Sequence, residues 1–291
     1  MESLYKLIGI SRQAHWDNVK RQLNIRELER FYLGLMMEVR TMHPGMGLRK
    51  MYEQFKPEGI GRDTWVALGL REGFRLSYSK NATITTIPLR SNKYNNLLEN
   101  KRFTNINQIW VSDIFYFPIE NKHYYGILLM DVYSRKILGY SISDNMRAEN
   151  NQKCWLKAFK TRGIDNYNSE LIHHSDRGTQ YLSDLYIETL EKYNVQISVC
   201  RDVLENAHCE RVNGTIKNEY LYRYEIKSFK QLENKLKEAV ENYNNRKHNS
   251  IKMTPNEFEK MIQENPKEKR YELEIFTINQ IKANPCQLEL L

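Results

Sequence analysis

The chain has 291 residues, 41% hydrophobic and 27% charged, which excludes general disorder and leaves room for about two domains. Its formal net charge of +8 favours a polyanionic partner without naming one. No apolar run approaches the ~20 residues that span a bilayer, and the opening Met1–Ile10 stretch is too short and polar for a signal peptide, so membrane insertion is set aside.

Residues 1–76 read as a small all-α region with a helix-turn-helix outline. Gly9 interrupts an apolar-periodic stretch that starts at Leu4, and Ser11 is placed to cap a second helix carrying Arg12 and His15. An amphipathic helix is expected over Ile25 to Arg40, stopped by Pro44, Gly45 and Gly47. Gly47 to Phe55 predicts another helix. A third begins near Ile60 and puts Arg62 and Thr64 at its start, where a recognition helix contacts DNA. Helix-Gly-helix sequences are also common in proteins that never touch DNA, so this reading draws its support from the acidic segments downstream. Residues 77–103 are polar, lack a sustained apolar period and read as a linker.

From Ile106 the pattern turns β-rich. Ile109–Phe117 (ended by Pro118), Tyr124–Asp131 and Lys136–Ser143 predict three antiparallel strands. Arg147–Phe159 then reads as a helix, Leu171–Ser175 as a strand, Ser183–Tyr193 as a helix and Val195–Val199 as a fifth strand. After Glu205 the chain is helical to about Tyr224, and Phe229–Asn245 gives a long amphipathic helix. The order βββαβαβ followed by helices describes an α/β domain, a mixed five-stranded sheet of RNase H-like type with flanking helices, over residues 104–265. Residues 266–291 form a C-terminal tail.

Three acidic residues carry the chemistry. Asp113 lies in the first strand, Asp176 just past the fourth, and Glu210 on the helix after the fifth. Carboxylates converging from separate elements can hold two Mg²⁺ ions around an in-line displacement at phosphorus, and Mg²⁺ suits an oxygen-only site. The interval from Asp176 to Glu210 is 210 − 176 − 1 = 33 residues, enough for the intervening helix and strand. Asn213, Gly214 and Lys217 follow Glu210 at helical spacing on one face. Gly214 would admit a DNA backbone and Lys217 would meet a phosphate. Most acidic residues are solvated surface groups, and any one of these three alone would be read so. Glu205 rivals Glu210 for the third position. Asp131 reads as a turn or support residue. His173 and His174 point to opposite sides of their strand, and structural roles suit both. Cys154, Cys200, Cys209 and Cys286 form no CxxC pair, which argues against a zinc ribbon or disulfide framework and for a reduced, cytoplasmic setting.

The segments Trp110-Val-Ser-Asp113-Ile, Leu171-Ile-His-His-Ser-Asp176-Arg-Gly-Thr-Gln-Tyr181 and Glu205-Asn-Ala preceding Glu210-Arg-Val-Asn-Gly-Thr-Ile-Lys217, with the tail Tyr243-Asn-Asn-Arg246-Lys-His248 and Thr254-Pro-Asn-Glu-Phe258, resemble insertion-sequence transposases of family three, OrfB type. The helical segments around Arg49 and Ile60–Phe74 look like the helix-turn-helix region that precedes the retroviral-integrase-like core of that family. The resemblance implies a DDE recombinase in which Asp113, Asp176 and Glu210 bind two Mg²⁺ or Mn²⁺ ions. Water or a DNA 3′-hydroxyl attacks a phosphodiester, with no covalent protein–DNA intermediate. It implies double-stranded DNA, both transposon ends and target, as partner, a homo-oligomer on that DNA, and a cytoplasmic, nucleoid-associated protein. An upstream segment fused by frameshifting is a further candidate partner. Lys217, Asn213, Gly214 and Arg177 beside the carboxylates, and Arg62, Arg12 and Arg49 in the helical region, are the DNA-binding candidates. The competing readings are a catalytically inactive DNA-binding regulator of transposition and an integrase-like nuclease that cleaves without joining.

Overall fold

The computed structural model describes residues 5, 9–77, 94–98, 101–164, 171–176, 181, 183–200, 207–265 and 273–274. Arg177, Glu205, most of 77–103 and nearly all of 266–291 lie outside the described residues. The chain divides into two compact units, Met1–Ser79 and Lys80–Leu291.

The first unit contains α1 (Arg12–Met42), α2 (Leu48–Phe55) and α3 (Arg62–Arg71). Ser11 caps α1 as its sequence position implies, its hydroxyl accepting the Ala14 N–H at 3.0 Å. The separate helices expected at Ser11 and over Ile25–Arg40 are one continuous helix. Nothing between Arg12 and Met42 interrupts it except Gly34, and a single exposed glycine costs a helix only about 1 kcal/mol. Tyr32, Met36 and Val39, spaced by four and three residues, bury one stripe of α1 against Met51, Trp65 and Leu68. The Trp65 indole N–H donates to the Leu48 carbonyl at 3.1 Å, which joins α3 to the start of α2.

In the second unit, β2 (Ile109–Ile119), β3 (Lys122–Asp131), β4 (Ile137–Ser143), β5 (Ile172–Ser175) and β6 (Gln196–Val199) form one sheet in the order β4-β3-β2-β5-β6. The first three strands pair antiparallel, while β2–β5 and β5–β6 pair parallel. This is the mixed five-stranded RNase H-like sheet expected from the strand order. A two-residue strand β1 (Arg102–Phe103) pairs separately with β7 (Leu273–Glu274). Pro118 does not end β2. It stands opposite His123 at the hairpin end, beyond the stretch paired with β5, so its missing N–H leaves no ladder bond unmade.

Helices cover both faces of the sheet. On one side α4 (Ala148–Arg162) and α5 (Asp184–Lys192) pack Trp155, Phe159 and Leu190 against Trp110, Ile127 and Leu129. On the other, α6 (Ala207–Thr215) and α7 (Phe229–Asn244) bury Val212, Leu232, Leu236 and Val240 against Val111, Phe115, Leu128 and Met130. The helical stretch expected from Glu205 to Tyr224 is not uniform. After α6 comes a π turn, Ile216–Tyr220, and a 3-10 turn, Leu221–Arg223. The last helix, α8 (Pro255–Glu264), starts in a capping box between Thr254 and Glu257 with Pro255 in its first turn.

Part of the stretch read as a linker packs on this core. Leu98 is buried, the Asn95 carbonyl accepts the Val199 N–H at 3.3 Å, and the Leu97 N–H donates to Ser198 Oγ at 2.9 Å. These bonds cover the open edge of β6. Where α4 crosses β4, Gly139 sits so close that an added Cβ would lie 2.2 Å from the Cys154 carbonyl oxygen. Gly139→Ala must push a backbone apart and is expected to cost about 1–3 kcal/mol, measured by urea unfolding.

Candidate active site

Strand parity sets the site. Along β2, Ile109, Val111, Phe115 and Phe117 lie in the core under α6 and α7, whereas Trp110 lies in the core under α4. Asp113 shares the odd-numbered face and therefore points toward α6. In the parallel β2–β5 ladder Val111 pairs with His174, and Asp113 and Asp176 each lie two residues further on. Ile172 also belongs to the core under α6, which places Asp176 on the same face as Asp113. Glu210 sits exposed in the first turn of α6.

Burial pushes the Asp113 carboxyl up to about 7, and the Asp176 charge adds to that rise. The Ile114 N–H and the Asn213 amide pull it back, and Glu210 adds a smaller upward push. A cation beside Asp113 and Asp176 would relieve that repulsion. Among the described residues, no three His, Cys, Asp or Glu side chains already close on one point as a metal cage. The donor set fits a hard cation nonetheless. Every candidate ligand is an oxygen, and among the described residues the buried Asn213 Oδ1 beside Asp113 has no hydrogen-bond partner.

Asn213 is 4% exposed, and its Nδ2 donates to Asp113 Oδ2 at 2.9 Å. The bond places Asn213, expected as a DNA contact, beside the Asp113 carboxylate. The α6 face carrying Glu210 turns toward β2, so a residue three positions on meets the carboxylate and not solvent. Gly214 is half-buried, and a Cβ there would meet only Asn218 at 3.9 Å, so no contact within the chain demands a glycine. Lys217 is half-buried. Burial holds its ammonium below the ordinary value while the Asp113 charge pulls the other way. Arg12, Arg49 and Arg62 are all exposed in the first unit, and Arg62 bonds Asp63 at 3.0 Å. Asn213→Ala removes one of two donors on Asp113 and is expected to raise its carboxyl further above 7. Carbon-detected NMR titration of that carboxyl checks this, and an unchanged midpoint contradicts it.

Both histidines are fully buried in hydrogen-bonded positions, which suits structural roles. His173 lies 2.8 Å from Ser112 Oγ and also bonds the Tyr186 hydroxyl, while His174 meets Ser198 Oγ at 2.9 Å and Cys200 Sγ at 3.0 Å. Asp131 is a support residue: it accepts N–H groups of Asn107, Tyr133 and Ser134 and sits 3.4 Å from Arg162. Sequence reasoning did not find Arg135, whose Nη1 donates to His208 Nδ1 at 2.6 Å and ties the β3–β4 turn to the start of α6. Burial, with Arg135 and Arg211 adding to it, lowers His208 to about 4, so it stays neutral and accepts that bond. Arg135 takes a positive φ of 64° in this turn, which the sequence does not mark with a glycine or asparagine.

Two integrase core domain models match the chain, one over residues 104–203 and the other over residues 192–255. The insertion element IS600 uncharacterized 31 kDa protein of Shigella sonnei is 27% identical over 254 residues, 83% of this chain and 90% of its own length. The transposase for insertion sequence element IS904 of Lactococcus lactis is 31% identical over 159 residues, 53% of this chain and 62% of that protein. Among solved structures, the HTLV-2 integrase catalytic core domain in complex with magnesium aligns with 56% of this chain and 99% of its own, at 20% identity and a TM-score of 0.44.

Proposed function

This chain belongs to the insertion-sequence transposases with an integrase-like catalytic core, and from that premise we propose that Asp113, Asp176 and Glu210 bind two Mg²⁺ or Mn²⁺ ions to cut and join DNA. The observation that carries the reading is that Asp113 and Asp176 each lie two residues beyond the paired Val111 and His174, on the sheet face under α6, the helix that carries Glu210. When bound, the metal pair supplies charge neutralisation at phosphorus and activation of the attacking oxygen. The protein supplies the rest. The Ile114 N–H and Asn213 Nδ2 fix the Asp113 carboxylate, each at 2.9 Å. Lys217, on the same face, neutralises a DNA phosphate beside the reacting bond. Water attacks first to release a 3′-hydroxyl, and that hydroxyl attacks a second strand, so no bond to a protein side chain forms.

Exposed Arg12, Arg49 and Arg62 in the helical unit, together with Arg177, bind double-stranded DNA through its phosphates, and paired element ends are held by a homo-oligomer. A segment fused upstream by frameshifting would contribute to the same assembly. With DNA carrying the ends of the parent element, Mg²⁺ is expected to give strand cleavage leaving 3′-hydroxyl termini, and Ca²⁺ to give binding alone. Cleavage that persists in excess chelator refutes the metal assignment. Binding is expected to weaken steeply with salt, and replacing any one of these arginines by alanine should make the log–log salt slope shallower by about one unit.

A further inference from the structure

We propose that Arg246 is a positioning residue for this site, acting through Glu219 to hold the π turn that carries Lys217, four residues beyond Asn213 and its bond to Asp113; the idea rests on the metal-dependent reading of the carboxylates. The π turn begins where α6 ends, and Leu221 N–H bonds the Ile216 carbonyl across it. A π turn is an unfavourable local choice, usually kept where something outside the helix holds it. Lys217 and Glu219 both lie within this turn. Arg246, just past α7, reaches back across 27 residues, and its Nη1 donates to Glu219 Oε2 at 2.6 Å. Both side chains are nearly closed to solvent, at 6% and 13% exposure, so the pair is held at one depth. The Arg246 guanidinium carbon also lies 5.6 Å from the centroid of the Tyr220 ring and 5.5 Å from that of Tyr243, within cation–π range of both. The far end of α6 has its own anchor in the Arg135–His208 bond, and its middle is held by Asn213 on Asp113. Loosening Arg246 therefore frees the turn that carries Lys217 and leaves the Glu210 end tied down.

The chemistry fits a positioning role. Glu219 shares the π turn with Lys217, and its bond to Arg246 ties that turn to the end of α7. Arginine suits the task because its fork donates to a carboxylate while its planar face can pack on a ring, which lysine cannot do.

The test uses the full chain with Arg246→Lys and Glu219→Gln, each alone and combined with Lys217→Ala. Two quantities are read: single-turnover cleavage of DNA ends with Mg²⁺, and hydrogen exchange at backbone amides 216–221 in metal-free protein. In the Lys217 background each variant is expected to slow cleavage about tenfold or more, the scale of removing a group that orients a site residue. In the Lys217→Ala background the same change should cost little, because its effect runs through Lys217. Exchange should rise at 216–221 and stay unchanged across β2 and β5. Equal losses in both backgrounds, or unchanged exchange at the turn, overturn the proposal. Failure of even Glu219→Gln to fold also overturns it, since the pair would then serve the whole domain. If the unaltered protein cuts no DNA, the metal-dependent reading fails, while the exchange measurement still decides whether Arg246 holds the turn.

Discussion

Asp113→Asn is expected to abolish cleavage and joining, by about 10³-fold or more, the equivalent of ~4 kcal/mol of transition-state stabilisation, while making the metal-free protein more stable at neutral pH. The stability gain follows from the carboxyl being raised from 3.8 to about 7 in the folded state. A carboxyl so raised binds its proton more tightly when folded. Its stabilising effect is complete below pH 4 and is lost as pH rises through about 7. A shift of this size bounds the penalty at about 4 kcal/mol, and the half-buried setting brings it nearer ~2 kcal/mol. Asparagine keeps an oxygen for the Asn213 amide and sheds the charge. Urea unfolding at pH 5 and pH 8 should show the native protein losing stability between the two and the variant holding it. Mg²⁺ should stabilise the native protein far more than the variant, since it binds the folded site. A variant less stable at pH 8, or one that still cuts DNA, sinks the assignment of Asp113.

Arg162→Met is expected to destabilise the second unit by about 3–5 kcal/mol, because it strands buried acids that have lost their counter-charge. Arg162 closes a cluster in the core. Its Nη1 donates to Glu259 Oε2 at 2.7 Å, and its Nη2 lies 3.4 Å from Asp131 Oδ2. Lys136 and Ser134 add bonds of 2.9 and 2.6 Å to Glu259. The cluster joins the end of α4, the β3–β4 turn and α8, three elements far apart in sequence. Unfolding followed by tryptophan fluorescence should show the loss, and removing Glu259 together with Arg162 should recover part of it. A loss below about 1 kcal/mol would mean that water reaches the cluster and screens it.

The strands were legible because short runs rich in aliphatic and aromatic residues are bounded by turn residues, as at Ile109–Phe117 and Tyr124–Asp131. Asp113 and Asp176 were legible as neighbours because parity and the parallel pairing of β2 with β5 follow from strand order. The single helix Arg12–Met42 was not, since its first half buries little and shows no clear apolar stripe to follow. Asn213 shares a helix face with Glu210, as its spacing implies, but its bond to Asp113 is not legible from that spacing. Helical spacing says which residues share a face and nothing about what that face meets. The π turn and the Arg246–Glu219 bond were invisible for the same reason, as both depend on α7 returning beside α6.

The central claim is that this carboxylate site both cuts DNA and joins the cut end to another strand. Incubating the protein and Mg²⁺ with labelled element ends and a supercoiled plasmid tests it directly. The account expects label covalently attached to relaxed or linear plasmid, lost when Asp176 is replaced by Asn while DNA binding persists. Nicked plasmid and trimmed ends with no attached label would contradict strand transfer and leave a nuclease.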